Sequence, residues 1–245
     1  MNRMTLIDTA PIPGGGELRL FQEGEHFSIK IAGVGDLMST RMHGSEDALA
    51  RLGCERIASR THARVLIGGL GMGFTLAAAL KLMRDNAEIV VAELVPGVVE
   101  WNRGPLGAHA GYPLNDTRVS VHEADVADLL KKARAAYDAI LLDVDNGPGG
   151  LTHEDNNWLY SAQGLSTAFQ ALRVGGVLAV WSAHPDRAFT ERLRRCGFTV
   201  AEVPVRAHGN KGARHIIWLA THPAPRAPDK GSRSAGFSAP RRKPR

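Results

Sequence analysis

The chain has 245 residues, two cysteines and a formal net charge of +5. That length suits one large α/β domain with a substantial core and small appendages. Cys54 and Cys196 lie far apart without a CxxC pattern, which argues against a disulfide framework or a zinc site and fits a reducing, cytoplasmic compartment. The positive charge is local: from Pro223 onward there are seven Lys/Arg against one Asp, leaving about −1 for the rest, so no basic groove is evident and nucleic acid is a poor match as partner. The N-terminus MNRMTLIDTAPIPGGG lacks the apolar run of a signal peptide, and no later stretch is long enough to span a membrane.

Residues 1–16 read as a flexible lead-in with Gly14-Gly15-Gly16 as a hinge. Residues 17–60 read as a small N-terminal unit. Glu17–Phe21 and His26–Ile31 alternate apolar and polar around Glu23-Gly24-Glu25, which predicts a β-hairpin, and Asp36–Met42 is a candidate third strand. A helix follows from Ser45, a plausible N-cap, to about Ser59. His43 and Glu46 flank its start, where they face either a neighbouring cleft or solvent.

Residues 61–222 alternate strands and helices. Strands are expected at Val65–Ile67, Glu88–Glu93, Val119–Glu123, Asp138–Asp143 and Val177–Trp181. Helices are expected near 74–84, 96–102, 126–135, 158–172 and 186–195, and two final strands, Phe198–Val205 and Arg214–Ala220, flank a short loop. Repeated βα units with apolar strands predict a doubly wound, mostly parallel sheet covered on both faces, ending in an antiparallel hairpin. Residues 223–245, rich in Pro, Arg and Ser, read as a disordered basic tail.

The chemistry clusters beyond the carboxyl ends of the strands, where open α/β sheets bind ligands. The first strand runs into Gly68-Gly69-Leu70-Gly71-Met72-Gly73 and then helix formers. Glycines there permit positive φ and close backbone approach by a ligand, and the helix N-terminus adds partial positive charge. Glu93 closes the second strand, where a carboxylate accepts two hydrogen bonds from a ribose diol. Asp125 follows the third strand and either accepts from an adenine amine or caps the next helix. Asp143-Val144-Asp145 closes the fourth; two carboxylates there are costly to bury without a cation, which an amine substrate supplies, although Asp145-Asn146-Gly147 also fits simple turn chemistry. The polar stretch from Thr152 to Tyr160 is a candidate substrate wall, with His153, Trp158 and Tyr160 as contacts or as packing residues. A nicotinamide site fits less well, because Gly69-Leu70-Gly71-Met72-Gly73 is G-x-G-x-G rather than G-x-G-x-x-G.

Together VLIGGLGMGFTL, VVAELVPGVVEWNR, VSVHEADVADLL, YDAILLDVDNGPGG and LRVGGVLAVWS resemble the class I S-adenosylmethionine-dependent methyltransferase fold, and more narrowly its spermidine synthase (polyamine aminopropyltransferase) branch, over about Leu18–Ala220. The resemblance implies a seven-stranded Rossmann-like sheet, Gly69, Gly71 and Gly73 around the methionine part of the cofactor, Glu93 on its ribose and Asp125 on its adenine. It also implies Asp143 facing an amine substrate, and a homodimer. The chain departs from the family in three places. GGLGMG replaces the acid-bearing GGGDGG, DVDNGP replaces D-S-x-D-P, and His43–Glu46 stands where a Y-x-E-M segment is usual. An acid in the glycine loop suits a decarboxylated donor, so its absence favours intact S-adenosylmethionine. The expected function is therefore methyl transfer to an amine-bearing small molecule without metal, with Asp143 orienting the amine and receiving its proton and Asp145 assisting. Aminopropyl transfer from decarboxylated S-adenosylmethionine is the alternative; a nucleic-acid methyltransferase using the basic tail, or a non-catalytic nucleoside-binding protein, come after it.

Overall fold

The structure is a computed structural model that describes residues 3–144, 157–208 and 211–224, with the side chains of Asn157, His208 and Lys211 set aside. The basic tail, apart from Pro223 and Ala224, and the expected sites Asp145 and His153 fall outside the described residues.

An N-terminal antiparallel sheet has the order β1-β2-β3-β4, with β1 Thr5–Pro11, β2 Glu17–Glu23, β3 His26–Ile31 and β4 Gly35–Ser39. The hairpin expected at residues 17–31 is therefore the centre of a four-stranded sheet, and the lead-in carries its first strand. Only Ala10 of β1 is buried, so the strand has no apolar alternation to betray it. Its order comes from pairing with β2 and from Asp8, whose Oδ2 accepts from the Trp101 indole N–H at 2.7 Å.

Helix α1, Gly44–Cys54, leads into the larger sheet. Ser45 is the second residue of α1 and the cap position is His43, so the expected Ser45 cap is displaced by two residues. The larger sheet is built of β5 Arg64–Gly68, β6 Glu88–Glu93, β7 Val119–Glu123, β8 Tyr137–Leu142, β9 Leu172–Ser182, β10 Thr199–His208 and β11 Lys211–Thr221. Its order is β10-β11-β9-β8-β5-β6-β7. β5 through β9 pair in parallel, whereas β11 is antiparallel to both β9 and β10.

Alternate residues of these strands face opposite sides, so two cores form. Val65, Ile67, Ile89, Val91 and Leu141 pack with α1, α2 (Phe74–Leu82), α3 (Pro96–Arg103) and the N-terminal sheet. Leu66, Val90, Ile140, Leu142 and Val180 pack on the other side with α5 (Val126–Lys132), α7 (Ala162–Ala171) and α8 (Arg187–Arg195). The short helix α4, Gly107–Ala110, follows α3. The helix expected at 158–172 breaks into α6, Asn157–Tyr160, and α7, because the Ser161 hydroxyl accepts from the Gly164 N–H and caps α7. The strand expected at Val177–Trp181 begins earlier, so that Gly175-Gly176 lie within β9, whose pairing with β8 shifts register. Gly175 has φ +73°, and a Cβ on Gly176 would meet the carbonyl oxygens of Arg173 and Asp138.

The opposite end of the sheet is locked by Asp138, whose side chain is 3% exposed. It accepts from Arg60 at 2.7 Å, Arg173 at 2.6 Å and the Arg64 backbone N–H at 2.8 Å. Among the described residues no helix is long and apolar enough to cross a membrane.

Candidate active site

β5 and β8 are neighbours, yet the chain continues from β5 to β6 on one side and reaches β8 from β7 at that far edge. Their carboxyl ends therefore open a crevice at the reversal of strand order. A cavity of about 190 Å³ lies there, lined by Gly69, Gly71, Glu93, Asp125 and Asp143 together with apolar residues of the N-terminal sheet, among them Leu37 and Met38. Sequence reasoning did not single out that apolar cover, because Leu37 and Met38 carry no chemical signature of their own.

The glycine loop holds its shape through steric necessity. Gly69, Gly71 and Gly73 have φ of +86°, +52° and +81°, a region that favours glycine. A Cβ on Gly69 would run into the Asp143 carbonyl oxygen, and one on Gly73 would lie 2.7 Å from Asn102 Oδ1. Asn102, fully buried on α3, donates its side-chain N–H groups to the carbonyls of Gly71 at 2.8 Å and Val98 at 2.9 Å. It was legible only as part of a family stretch, with no hint that it braces the loop.

Glu93 is 8% exposed, and its two oxygens accept from the backbone N–H groups of Leu70 at 2.8 Å and Val95 at 2.9 Å. Burial pushes its carboxyl above the usual range while these N–H groups pull it back. Of the two roles weighed for Asp125 the structure shows the cap: its Oδ1 accepts from the Ala127 N–H at 2.8 Å at the start of α5, while the residue also lines the cavity. The glycine loop, the buried carboxylate beside it and the acid at the next strand end together line one wall of the cavity.

Asp143 lies just past β8, half-buried, and its Oδ2 accepts from the Thr75 hydroxyl at 2.6 Å. Burial, reinforced by the negative charge of Glu46, pushes Asp143 up to about 7, against the pull of the Thr75 bond. Glu46 is itself raised by burial, and the Ser45 hydroxyl, 2.6 Å from its Oε2, opposes the rise. The structure thus places two carboxylates, Asp143 of the cavity lining and Glu46, within electrostatic reach of each other. Thr75 escaped the sequence reading because it sits in a run of helix formers; its only signal was a hydroxyl in the first turn after the glycines.

The remaining candidates lie apart from this cavity. His43 stacks on Phe74 at 4.2 Å between ring centroids, and its Nδ1 is 2.9 Å from Asp47 Oδ2. It lines a separate groove with Phe74 and Tyr112. Trp158 is half-buried beneath Lys131, whose Nζ stands 4.9 Å from the ring centroid. Tyr160 is buried against Phe189, and its hydroxyl donates to the Val144 carbonyl at 3.1 Å. Tyr160 thereby braces the backbone next to Asp143 from within the core.

The spermine/spermidine synthase domain matches residues 44–190. The chain belongs to that family. In fold it is similar to a spermidine synthase from Thermotoga maritima, with a TM-score of 0.70 at 18% identity over 90% of this chain and 74% of that one. A spermidine synthase in complex with the transition-state analogue AdoDATO matches with the same figures. A probable spermidine synthase from Corynebacterium glutamicum gives a TM-score of 0.60 at 15% identity over 89% and 80% of the two chains. No curated protein sequence matches. The domain of the spermine/spermidine synthase family begins here at α1, so the N-terminal sheet that covers the cavity lies before the matched region.

Proposed function

We propose that the chain is a cytosolic aminopropyltransferase that uses decarboxylated S-adenosylmethionine and a small amine, as in polyamine formation. Family membership supports this reading, as does a similar fold whose relative holds AdoDATO. The observation that carries it is the pair of carboxylates, Asp143 and Glu46, in mutual repulsion at the crevice. A protonated amine relieves that repulsion on arrival, so the pair selects a cation.

Glu93 would hold the ribose of the donor, Asp125 its adenine, and the backbone of Gly69, Gly71 and Gly73 its sulfur-bearing chain. A sulfonium donor bound there supplies an electrophilic carbon, whose bond to sulfur breaks with the electron pair leaving on sulfur as an amine nitrogen bonds to it. Asp143 aligns the amine and takes its proton. A carboxyl pushed toward neutrality is well matched to that task, because it is ionised in part and returns the proton to water readily. Thr75 fixes the orientation of Asp143 by occupying Oδ2, which leaves Oδ1 for the amine. Asp145 is a candidate assistant and His153 a candidate contact of the acceptor.

A second reading, methyl transfer from intact S-adenosylmethionine, is favoured by one feature. The side chains of the glycine loop are Leu70 and Met72, each 4% exposed, and neither offers charge to the amino group of a decarboxylated donor. Calorimetry with both donors, followed by mass spectrometry of an amine panel, separates the readings. Aminopropyl transfer requires tighter binding of the decarboxylated donor and a product heavier by the aminopropyl group. Tighter binding of intact S-adenosylmethionine with a methylated product would establish the second reading in its place.

A further inference from the structure

We infer that the groove between α1 and the β10–β11 hairpin binds a multivalent phosphate anion, a diphosphate or triphosphate group, through Arg51, Arg206 and Arg214. The groove has a volume of about 730 Å³ and is separate from the cavity of the active site. On α1 its wall is Gly44, Asp47, Ala48 and Arg51, the i, i+3, i+4, i+7 stripe of one helix face. On the hairpin its wall includes Arg206 and Arg214, which stand directly opposite each other across the antiparallel pair.

Two like charges directly opposite on adjacent strands destabilise a sheet, so this pairing calls for a counterion. Among the described residues none supplies it: no carboxylate pairs with Arg51, Arg206 or Arg214, and the one side-chain hydrogen bond of the three is from Arg206 to the Gly212 carbonyl at 3.2 Å. Other arginines of the chain do have acidic partners, as in Arg60 and Arg173 with Asp138, Arg118 with Asp116 and Arg194 with Glu191. The acid in the groove, Asp47, is already engaged by His43.

The groove therefore presents three guanidinium forks, each able to hold two phosphate oxygens at once. The near-neutral balance of the folded part hid this feature, because folding gathers three arginines from residues 51, 206 and 214. Their compactness, with two on neighbouring strands and one across the groove, fits a few closely spaced charges rather than the long track of a nucleic-acid backbone.

Titration calorimetry of the full chain with inorganic pyrophosphate at low ionic strength tests the inference, with a short single-stranded RNA as the second arm. The native chain is expected to bind pyrophosphate, with affinity falling as salt is raised. R206A/R214A and, separately, R51A should each weaken that binding at least tenfold while nucleoside binding in the crevice is retained. The double variant should melt no lower than the native chain, since a repulsion is removed. No pyrophosphate binding by the native chain would overturn the inference. So would undiminished binding by R206A/R214A, which would move the anion to the basic tail, or arginine-dependent RNA binding without pyrophosphate binding.

Discussion

Replacing Asp143 by asparagine keeps the side chain's size and an acceptor for Thr75 but removes a charge that the fold holds at a cost. The native carboxyl is raised from 3.8 to about 7. At 1.36 kcal/mol per unit that spread corresponds to about 4 kcal/mol; because Asp143 is half-buried, solvent screening reduces the expectation to about 2 kcal/mol. The sign follows from linkage. The folded state holds this proton more tightly than the unfolded state, so the native chain loses stability as pH rises from about 3.8 through 7 and then levels off. Asp143→Asn should match the native chain near pH 4 and exceed it by about 2 kcal/mol at pH 8 in urea denaturation. Its turnover with an amine should fall by about 10²–10⁴-fold, the usual scale of a lost proton acceptor. A stability difference independent of pH, or a variant less stable at pH 8, would refute the account of Asp143 as a repelled, half-buried acid.

Gly71→Asp places an acid in the cavity lining at φ +52°, which aspartate tolerates, and the new Cβ would press only on the flexible Met38 side chain at 3.1 Å. The variant should shift the ratio of affinities toward the decarboxylated donor by about tenfold, roughly 1.4 kcal/mol, measured by competition calorimetry. Gly69→Ala, by contrast, drives a Cβ into the Asp143 carbonyl, and should lower stability by about 1–3 kcal/mol with loss of donor binding; an unchanged melting curve would contradict the steric account of the loop. Asp138→Ala strips the shared partner from Arg60, Arg173 and the Arg64 N–H, with a loss of about 2–4 kcal/mol in denaturant melts. Donor affinity of the folded fraction should stay unchanged, because the network lies at the opposite end of the sheet.

Sequence legibility followed the physical origin of each feature. Strands β6 and β7 were readable to the residue because they are short apolar or alternating runs bounded by polar turns. The acids at the strand ends were readable because the topology of an open α/β sheet dictates where they point. What escaped were features made by tertiary contact. β1 exists through pairing and through the bond from Trp101 to Asp8, with almost no burial of its own. The division of α6 from α7 turns on one hydroxyl of Ser161. His43 and Glu46 are three residues apart and looked equivalent, yet only the charge of Glu46 reaches Asp143, while His43 is drawn to Phe74 and Asp47. Thr75 and Asn102 act through partners 68 and 31 residues away, and no local pattern announces such bonds.

Met38 rests over Gly71 from a strand that precedes the family domain. The crevice is thus built from two parts of the chain: one wall comes from the glycines, Glu93 and Asp125, and the apolar cover from the N-terminal sheet. A chimera that carries another relative's N-terminal sheet on this Rossmann-like body would therefore reshape one wall of the crevice while leaving the glycines, Glu93 and Asp125 of the other in place.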